Sequence, residues 1–108
     1  MALQILNFEF RTENPKSIPA EWSHYGVTGS GDLEVLMEQK DLGGAVQAKV
    51  VTPVKGFEGV WKMILEKFIS EFSLGNLTIE INDDNATPIV VYLRLRQSLM
   101  ETGFIKES

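Results

Sequence analysis

Cysteine is absent from this 108-residue sequence, and histidine occurs once, at His24. Without cysteine the chain can form no disulfide, no thiolate metal ligand and no cysteine nucleophile. One imidazole also provides too few nitrogen ligands for an ordinary zinc site. We therefore expect no metal centre, and any thiol chemistry that involves the protein requires a sulfur atom from an attached group.

Basic side chains are in the minority, because 10 Lys and Arg stand against 15 Asp and Glu, for a formal net charge of -5. Affinity for nucleic acid depends largely on Lys and Arg that neutralise phosphates, so this balance opposes binding to DNA or RNA. An acidic protein is better suited to a partner protein with a basic surface, since opposite charges favour encounter.

Long hydrophobic runs are missing as well. No stretch approaches the roughly 20 apolar residues that cross a bilayer, and the first residues lack the basic region and the apolar segment of a secretory signal. We expect no membrane association and a cytoplasmic location.

The sequence does have the composition of a globular domain, with 44% hydrophobic and 23% charged residues. These fractions are close to the average for folded domains and far from those of disordered chains. We predict a single domain over residues 1–108, since a chain of this length can bury roughly two-thirds of its unfolded surface.

Alternation of apolar and polar residues predicts four strands, because successive side chains of a strand point to opposite faces. Leu6, Phe8 and Phe10 show this pattern, which recurs in residues 33–37, 46–50 and 77–81. The glycine-containing segment 40–44 predicts a hairpin between the second and third of these strands. The proline-bearing stretch 12–19 predicts a loop after the first strand.

The clearest predicted element is a helix with one broad apolar face. Its apolar residues recur at spacings of three and one, and they are Phe57, Val60, Trp61, Ile64, Leu65, Phe68, Ile69 and Phe72. Gly56 is the predicted N-cap, and Gly75 is predicted to close the C-terminus in the left-handed conformation.

Residues 88–101 fit two patterns. The apolar residues from Val91 to Leu95 alternate as in a strand, whereas Thr87 followed by Pro88 is a good helix start. We favour a helix from Pro88 to about Glu101. In such a helix one face groups Ile89, Tyr92, Leu93, Arg96, Leu99 and Met100. Together the elements predict an α+β fold, with a mainly antiparallel sheet of about four to five strands and two helices packed on one face.

The segment Gly29, Ser30, Gly31 and Asp32 has the greatest chemical interest. Glycine on both sides leaves little bulk around the serine hydroxyl and permits unusual backbone dihedral angles, so the hydroxyl can be offered to a large reagent. From this segment alone an ordinary turn is the favoured interpretation, and we expect Asp32 to accept backbone hydrogen bonds there instead of acting as an acid or base. A hydrolytic triad with His24 is disfavoured, because no oxyanion-hole motif accompanies these residues.

Other charged residues are weaker candidates. Asp83 and Asp84 lack the glycine and the spaced ligands of a calcium loop, so a solvated turn is the favoured interpretation. Arg94 and Arg96 form a poor electrostatic footprint for RNA. We expect these arginines to extend over the sheet or to pair with acidic neighbours.

Two separated strings resemble motifs of one known family. Residues 27–36, VTGSGDLEVL, resemble the modification site of the acyl-carrier (delta) subunits of malonate decarboxylases. Residues 85–88, NATP, leading into residues 90–97, VVYLRLRQ, resemble the C-terminal motif of that family. The resemblance extends from about residue 3 to residue 101, and two motifs in the right order are more specific than either alone.

This resemblance implies that Ser30 carries a 2'-(5''-phosphoribosyl)-3'-dephospho-CoA group through a phosphodiester, with Gly29, Gly31 and Asp32 as supporting residues of the motif. The terminal thiol of that group carries acetyl and malonyl as thioesters. The implied protein is a carrier without catalytic residues of its own. Its implied partners are a prosthetic-group transferase, an acyl transferase (alpha) subunit and decarboxylase (beta and gamma) subunits. The predicted α+β fold differs from the all-helical bundle of ordinary acyl carrier proteins.

Two alternatives stay open at this point. The gamma acyl-carrier subunit of citrate lyase uses the same kind of arm, but its serine motif more often reads Ser-Ser-Asp than Ser-Gly-Asp. The second alternative is a small α+β interaction or ligand-binding domain without a covalent arm. The intact mass of the chain after co-expression with the modifying transferase distinguishes a carrier from such a domain.

Overall fold

Five strands and two helices form the fold, and the computed structural model describes residues 2–26 and 29–105. The strands are β1 (Gln4–Phe10), β2 (Trp22–Gly26), β3 (Asp32–Gln39), β4 (Val46–Thr52) and β5 (Leu77–Asp84). The helices are α1 (Glu58–Phe72), between β4 and β5, and α2 (Pro88–Glu101), after β5. The α+β prediction is confirmed, and so is the choice of a helix for residues 88–101.

The strands form one mixed sheet in the order β1-β4-β5-β3-β2. The pairs β1–β4, β3–β5 and β2–β3 are antiparallel, whereas β4 and β5 are parallel. Parallel neighbours need a connection of a dozen or more residues, and the segment that contains α1 provides it. The sheet is therefore mainly antiparallel, as predicted, but not purely so.

The hairpin predicted at residues 40–44 is wrong. β5 lies between β3 and β4 and pairs with both, so the strands that flank the segment are not neighbours. The segment binds instead to Asn76, whose Oδ1 accepts hydrogen bonds from the backbone N–H groups of Leu42 and Gly44 at 3.1 and 2.8 Å. A central position suits β5, because its inward-facing apolar side chains are almost completely buried.

One hydrophobic core lies between the sheet and the two helices. The strands contribute Leu6, Phe10, Leu33, Val35, Met37, Val46, Ala48, Val50, Leu77, Ile79 and Ile81. The helices contribute Trp61, Leu65, Phe68, Ile69, Val91, Leu95 and Leu99. Both helices therefore cover the same face of the sheet, as predicted, and burial of each large side chain contributes about 2 kcal/mol.

β2 is the strand that the sequence pattern does not predict. Only Ser23 of its residues is buried, and Trp22 is 62% exposed, so the strand lacks an apolar alternation. It forms because Trp22 through Gly26 pair with Glu38 through Glu34 of β3. The predicted loop at 12–19 precedes it, and Ile18 anchors that loop in the core.

The ends of α1 differ from the prediction. The N-cap is Phe57 instead of Gly56, and the left-handed residue at the C-cap is Ser73, with φ 50°, instead of Gly75. Gly75 is required for a different reason: a Cβ at this position would lie 2.2 Å from Cβ of Pro15. Close approach of the loop before β2, and not the helix end, therefore selects glycine here.

The buried face of α2 also differs from the predicted grouping. Val91, Leu95, Ser98 and Leu99 face the core, whereas Ile89 is 74% exposed and Leu93 is 51% exposed. Residues 91, 95 and 99 form an apolar row at four-residue spacing, while the row from Ile89 through Leu93 continues to the polar Gln97. The longer apolar row packs against the sheet.

α1 and α2 contain 15 and 14 residues and are amphipathic. A helix that crosses a bilayer needs roughly 20 predominantly apolar residues. Within residues 2–26 and 29–105, no helix is long and apolar enough to span a membrane.

Candidate functional site

The segment from Gly29 to Asp32 lies at the ends of two inner strands of the sheet, where β5 ends and β3 begins. The backbone N–H of Asp32 donates to the carbonyl of Gly29 at 2.9 Å, which closes a turn around Ser30. The N–H of Gly31 donates to the carbonyl of Asp84 at 2.8 Å, which fixes this turn to the last residue of β5. The first two residues of the 27–36 string, Val27 and Thr28, lie outside the described residues.

Ser30 is exposed at the tip of this turn, and its hydroxyl forms no hydrogen bond with another described residue. Gly31 has φ 74°, in the left-handed region that favours glycine. A Cβ added to Gly29 or to Gly31 would find no atom within 4 Å. The exposed Ser30 thus lies on a defined backbone between two residues with open space beside them.

Asp32 forms a two-point ion pair with Arg94 of α2, 62 residues along the chain. Arg94 Nε donates to Asp32 Oδ1 at 2.9 Å, and Arg94 Nη2 donates to Asp32 Oδ2 at 2.7 Å. The N–H of Leu33 also donates to Asp32 Oδ1, at 2.7 Å. The two charged side chains are 24% and 29% exposed, so solvent screens this pair only in part.

Further contacts orient the Arg94 guanidinium. Its Nη1 donates to Oε1 of Gln97, one helical turn along α2, at 2.9 Å. Its Cζ lies 5.9 Å from the centroid of the Tyr25 ring, at the end of β2. We refer to Asp32 and Arg94 as the turn clamp, because together they connect the Ser30 turn to α2.

The turn clamp decides the charge of both groups. The hydrogen bonds from the Arg94 guanidinium, supported by the Leu33 N–H, hold the pKa of Asp32 below its usual value, and the Asp32 carboxylate raises the pKa of Arg94. Both groups are therefore charged at neutral pH. Asp32 has the structural role in the turn that we expected of it, and a lowered pKa does not suit a general base near neutrality.

Arg94 is the site residue that sequence reasoning did not assign. The expectation that it pairs with an acidic neighbour was general, and no local pattern identifies Asp32 as that neighbour. A usable signal exists: one partner lies in the 27–36 string and the other in the 90–97 string, so each of the two family motifs contributes one half of the pair.

His24 does not assemble with Ser30. Its Nε2 lies 2.9 Å from Oε2 of Glu34, the residue of β3 that also accepts a hydrogen bond from Asn82. Among the described residues, no hydrogen bond joins His24 to Ser30 or to Asp32. The geometry thus gives no support to a hydrolytic triad.

Asp83 is not the solvated turn residue that the sequence predicts, because it is buried, with only 6% of its surface exposed. Its Oδ2 accepts from the hydroxyl of Thr52 at 2.8 Å and from the N–H of Asn85 at 3.2 Å, and its Oδ1 accepts from the N–H of Ala86 at 2.9 Å. These bonds shape the connection from β5 to α2. In the part of the chain that the structure describes, no group of three or more His, Asp and Glu is placed to hold a metal ion.

Comparison with known proteins identifies relatives across most of the chain. Residues 21–102 match the family described as malonate decarboxylase delta subunit (MdcD). The chain is 54% identical over 106 residues to the malonate decarboxylase acyl carrier protein of Malonomonas rubra, an alignment that covers 98% of this chain and 95% of that protein. It is 39% identical over 97 residues to the protein of the same name from Xanthomonas campestris pv. campestris (strain B100), with 90% and 92% covered.

A solved structure has the same fold. A chain in the crystal structure of a Pseudomonas malonate decarboxylase hetero-tetramer in complex with malonate superposes with a TM-score of 0.80 and is 37% identical in sequence. The match covers 93% of this chain and 99% of that chain. The family match over residues 21–102 and the identities over nearly full length agree, and the chain therefore belongs to the malonate decarboxylase acyl carrier protein family.

Proposed function

We propose that the chain is a non-catalytic acyl carrier subunit of a malonate decarboxylase and that the hydroxyl of Ser30 is its attachment point for 2'-(5''-phosphoribosyl)-3'-dephospho-CoA. The observation that carries this proposal is an exposed serine at the tip of a defined turn, flanked by two glycines with open space around them. The membership of the chain in a carrier family supports the same conclusion.

The residues of the turn fit such a group. A phosphodiester requires a free hydroxyl and room for a bulky substituent, and Gly29 and Gly31 leave that room. Arg94 neutralises the nearby Asp32 carboxylate, so this group of the turn does not repel an anionic reagent as an unpaired carboxylate would. When attached, the group supplies a terminal thiol that holds acetyl and malonyl as thioesters, a chemistry that a chain without cysteine cannot provide.

The chemistry of attachment at Ser30 is a substitution at phosphorus. The Ser30 oxygen forms the new bond to phosphorus, the leaving group of the donor departs with the electron pair of its own bond, and the serine proton passes to a base. The described residues place no basic side chain in hydrogen-bond contact with the Ser30 hydroxyl. We infer that the prosthetic-group transferase supplies this base.

The carrier role also explains the exposed position of Ser30. An attached acyl group has to reach an acyl transferase (alpha) subunit and decarboxylase (beta and gamma) subunits in turn, so its tether should leave the surface at an open point. In this role the chain carries the prosthetic group on Ser30, and the other subunits catalyse the cleavage of the bond. The similarity to a chain of a hetero-tetrameric decarboxylase supports assembly with such partners.

The test is the mass of the intact chain after co-expression with the prosthetic-group transferase. We expect an increase equal to the attached group, located at Ser30 by peptide mapping. Ser30→Ala should abolish the increase, whereas Ser70→Ala, which removes another exposed serine on α1, should leave it unchanged. An unmodified wild-type chain would favour a binding domain without a covalent arm. Modification of Ser30→Ala at the wild-type level would show that the attachment point is elsewhere.

A citrate lyase carrier is the alternative within the same chemistry. The relatives at 54% and 39% identity are malonate decarboxylase acyl carrier proteins, which favours the malonate assignment. Affinity purification of the tagged chain from its own source tests this directly. Recovery of decarboxylase subunits supports the proposal, and recovery of citrate lyase subunits in their place contradicts it.

A further inference from the structure

We propose that Arg94 is a positioning residue for the modification of Ser30: acting through Asp32, it holds the turn in the conformation that the prosthetic-group transferase binds. This inference rests on the proposed function, because it concerns the rate at which Ser30 receives its group. Arg94 is contributed by α2 and, among the described residues, reaches the turn through the carboxylate of Asp32.

The geometry of the turn clamp restricts the orientation of the Asp32 carboxylate relative to the Arg94 guanidinium as well as the distance between them. Two parallel N–H donors on a planar guanidinium meet the two oxygens of one carboxylate at 2.9 and 2.7 Å, a pairing that a lysine ammonium cannot reproduce. Without Arg94, the hydrogen bonds that define the turn within residues 2–26 and 29–105 would be the backbone bonds of Gly31 and Asp32 and the bond from the Leu33 N–H to Asp32. A two-glycine turn has high backbone freedom, so a side-chain restraint of this kind narrows its conformations considerably.

The position of Arg94 is itself rigid. The next residue, Leu95, is fully buried in the core, and Val91 on the same face is also buried. Gln97 and Tyr25 contact the guanidinium from two other directions. Because α2 is packed against the core, its Arg94 has a fixed position, and the ion pair with Asp32 restrains the exposed turn relative to the helix.

The charge of Arg94 should also favour the modification of Ser30. Asp32 lies two residues from Ser30, and a reagent that delivers a phosphate is negatively charged, so an unpaired Asp32 carboxylate would repel it. Arg94 cancels this charge. Removal of Arg94 alone should therefore be more harmful than removal of both charged groups, a pattern that loss of a stabilising contact alone does not predict.

The experiment follows transfer of the prosthetic group to purified unmodified carriers by intact mass, with kcat and KM determined for each carrier as substrate. Arg94→Gln should lower kcat/KM about tenfold, as expected for loss of a partly buried charged pair. Arg94→Lys should recover part of the loss, because it keeps the charge but not the two-point geometry. The double variant Asp32→Asn with Arg94→Gln should be modified faster than Arg94→Gln alone, because it lacks the unpaired carboxylate of Asp32.

Arg96→Gln is the matched control. Arg96 lies on the same helix two residues further on, and its Nη1 is 4.0 Å from Oε2 of Glu71 on α1, away from the turn. This variant should be modified at nearly the wild-type rate. Circular dichroism melting identifies any variant that fails to fold. If Arg94→Gln does not fold, the comparison rests on the lysine variant and the double variant, because neither leaves the Asp32 carboxylate unpaired.

Three results would overturn the proposal. The first is a folded Arg94→Gln carrier with wild-type kcat and KM. The second is an equal loss in Arg96→Gln, which would indicate a general effect of α2. The third is a double variant no faster than the single one together with a lysine variant no better than glutamine. An unmodified wild-type chain would instead remove the proposed function, and this inference with it, so the two failures are distinguishable.

Discussion

Asp83 and Thr52 join the ends of the two parallel strands through a hydrogen bond from the Thr52 hydroxyl to Oδ2 of Asp83, at 2.8 Å. Both residues are buried. Asp83→Ala would leave that hydroxyl and the N–H groups of Asn85 and Ala86 without their acceptor, so we expect a loss of about 2–4 kcal/mol in the free energy of unfolding. Urea denaturation measures this, with Asp84→Ala as the control because its side chain is less buried. Equal effects of the two variants would contradict the assigned role of Asp83.

Trp61 is one of the large aromatic residues by which α1 packs into the core, and it is 5% exposed. Trp61→Ala removes most of that side chain from a closely packed interior, so the free energy of unfolding should fall by about 3–5 kcal/mol. Met63→Ala, in the same helix at a position 64% exposed, is the control and should change stability by less than about 1 kcal/mol. A Trp61→Ala chain with near wild-type stability would show that α1 packs differently.

Gly75 and Gly59 should respond in opposite ways to the same substitution. A Cβ at residue 75 would lie 2.2 Å from Cβ of Pro15 and 2.6 Å from the carbonyl oxygen of Gly44, so Gly75→Ala should destabilise the protein by more than about 2 kcal/mol. A Cβ at residue 59 meets nothing within 4 Å, and Gly59→Ala in α1 should stabilise by up to about 1 kcal/mol. Thermal melting of both variants checks the prediction, which fails if the two melting temperatures shift in the same direction.

The Asp32 pKa predicts a pH dependence of stability. Because Arg94 and the Leu33 N–H lower this pKa in the folded state from its ordinary value of 3.8, the clamp stabilises the protein above that value and is lost as the pH falls through the lowered pKa. We expect wild type to be about 1 kcal/mol more stable than Asp32→Asn at neutral pH, and this difference to shrink as the pH falls below 3.8 and to vanish once the pH is below the lowered pKa. Arg94→Gln should remove the same acid-sensitive component. A difference that stays constant with pH would contradict the ion pair.

Ser30→Ala should separate folding from function. The side chain is exposed and has no hydrogen bond within the described residues, so the free energy of unfolding should change by less than about 0.5 kcal/mol. Assembly with partner subunits should persist, because the variant removes one oxygen from an exposed turn. Malonate turnover should be abolished, because no tether for the acyl group remains. Measurement of decarboxylation in a complex reconstituted from purified subunits decides this, and turnover with the alanine carrier would refute the attachment point.

Local patterns were sufficient for most of the secondary structure. The helical spacing that includes Trp61 and Leu65 matches α1, and Thr87 with Pro88 marks the start of α2, where the Thr87 hydroxyl accepts a hydrogen bond from the N–H of Val90. Four strands follow their apolar alternation. These features depend on residues a few positions apart, so short windows of sequence contain the relevant information.

Local patterns failed where distant segments compete. The 40–44 segment has the composition of a hairpin, but β5, a strand whose inward-facing side chains are buried, pairs with both flanking strands and so separates them. β2 has no apolar alternation and forms by pairing with β3. The face of α2 that is buried was decided by which apolar row meets the sheet, a property of the assembled core.

The sequence by itself determined that this protein has no thiol of its own, that Ser30 stands between two small residues, and which segments become helices, because these are properties of residue identity and short-range spacing. The tertiary structure alone decided the strand order and the pairing of Asp32 with Arg94 across 62 residues. The physical reason is that a two-point ion pair depends on where a helix and a turn lie in space, and their relative position is set by burial of the whole core.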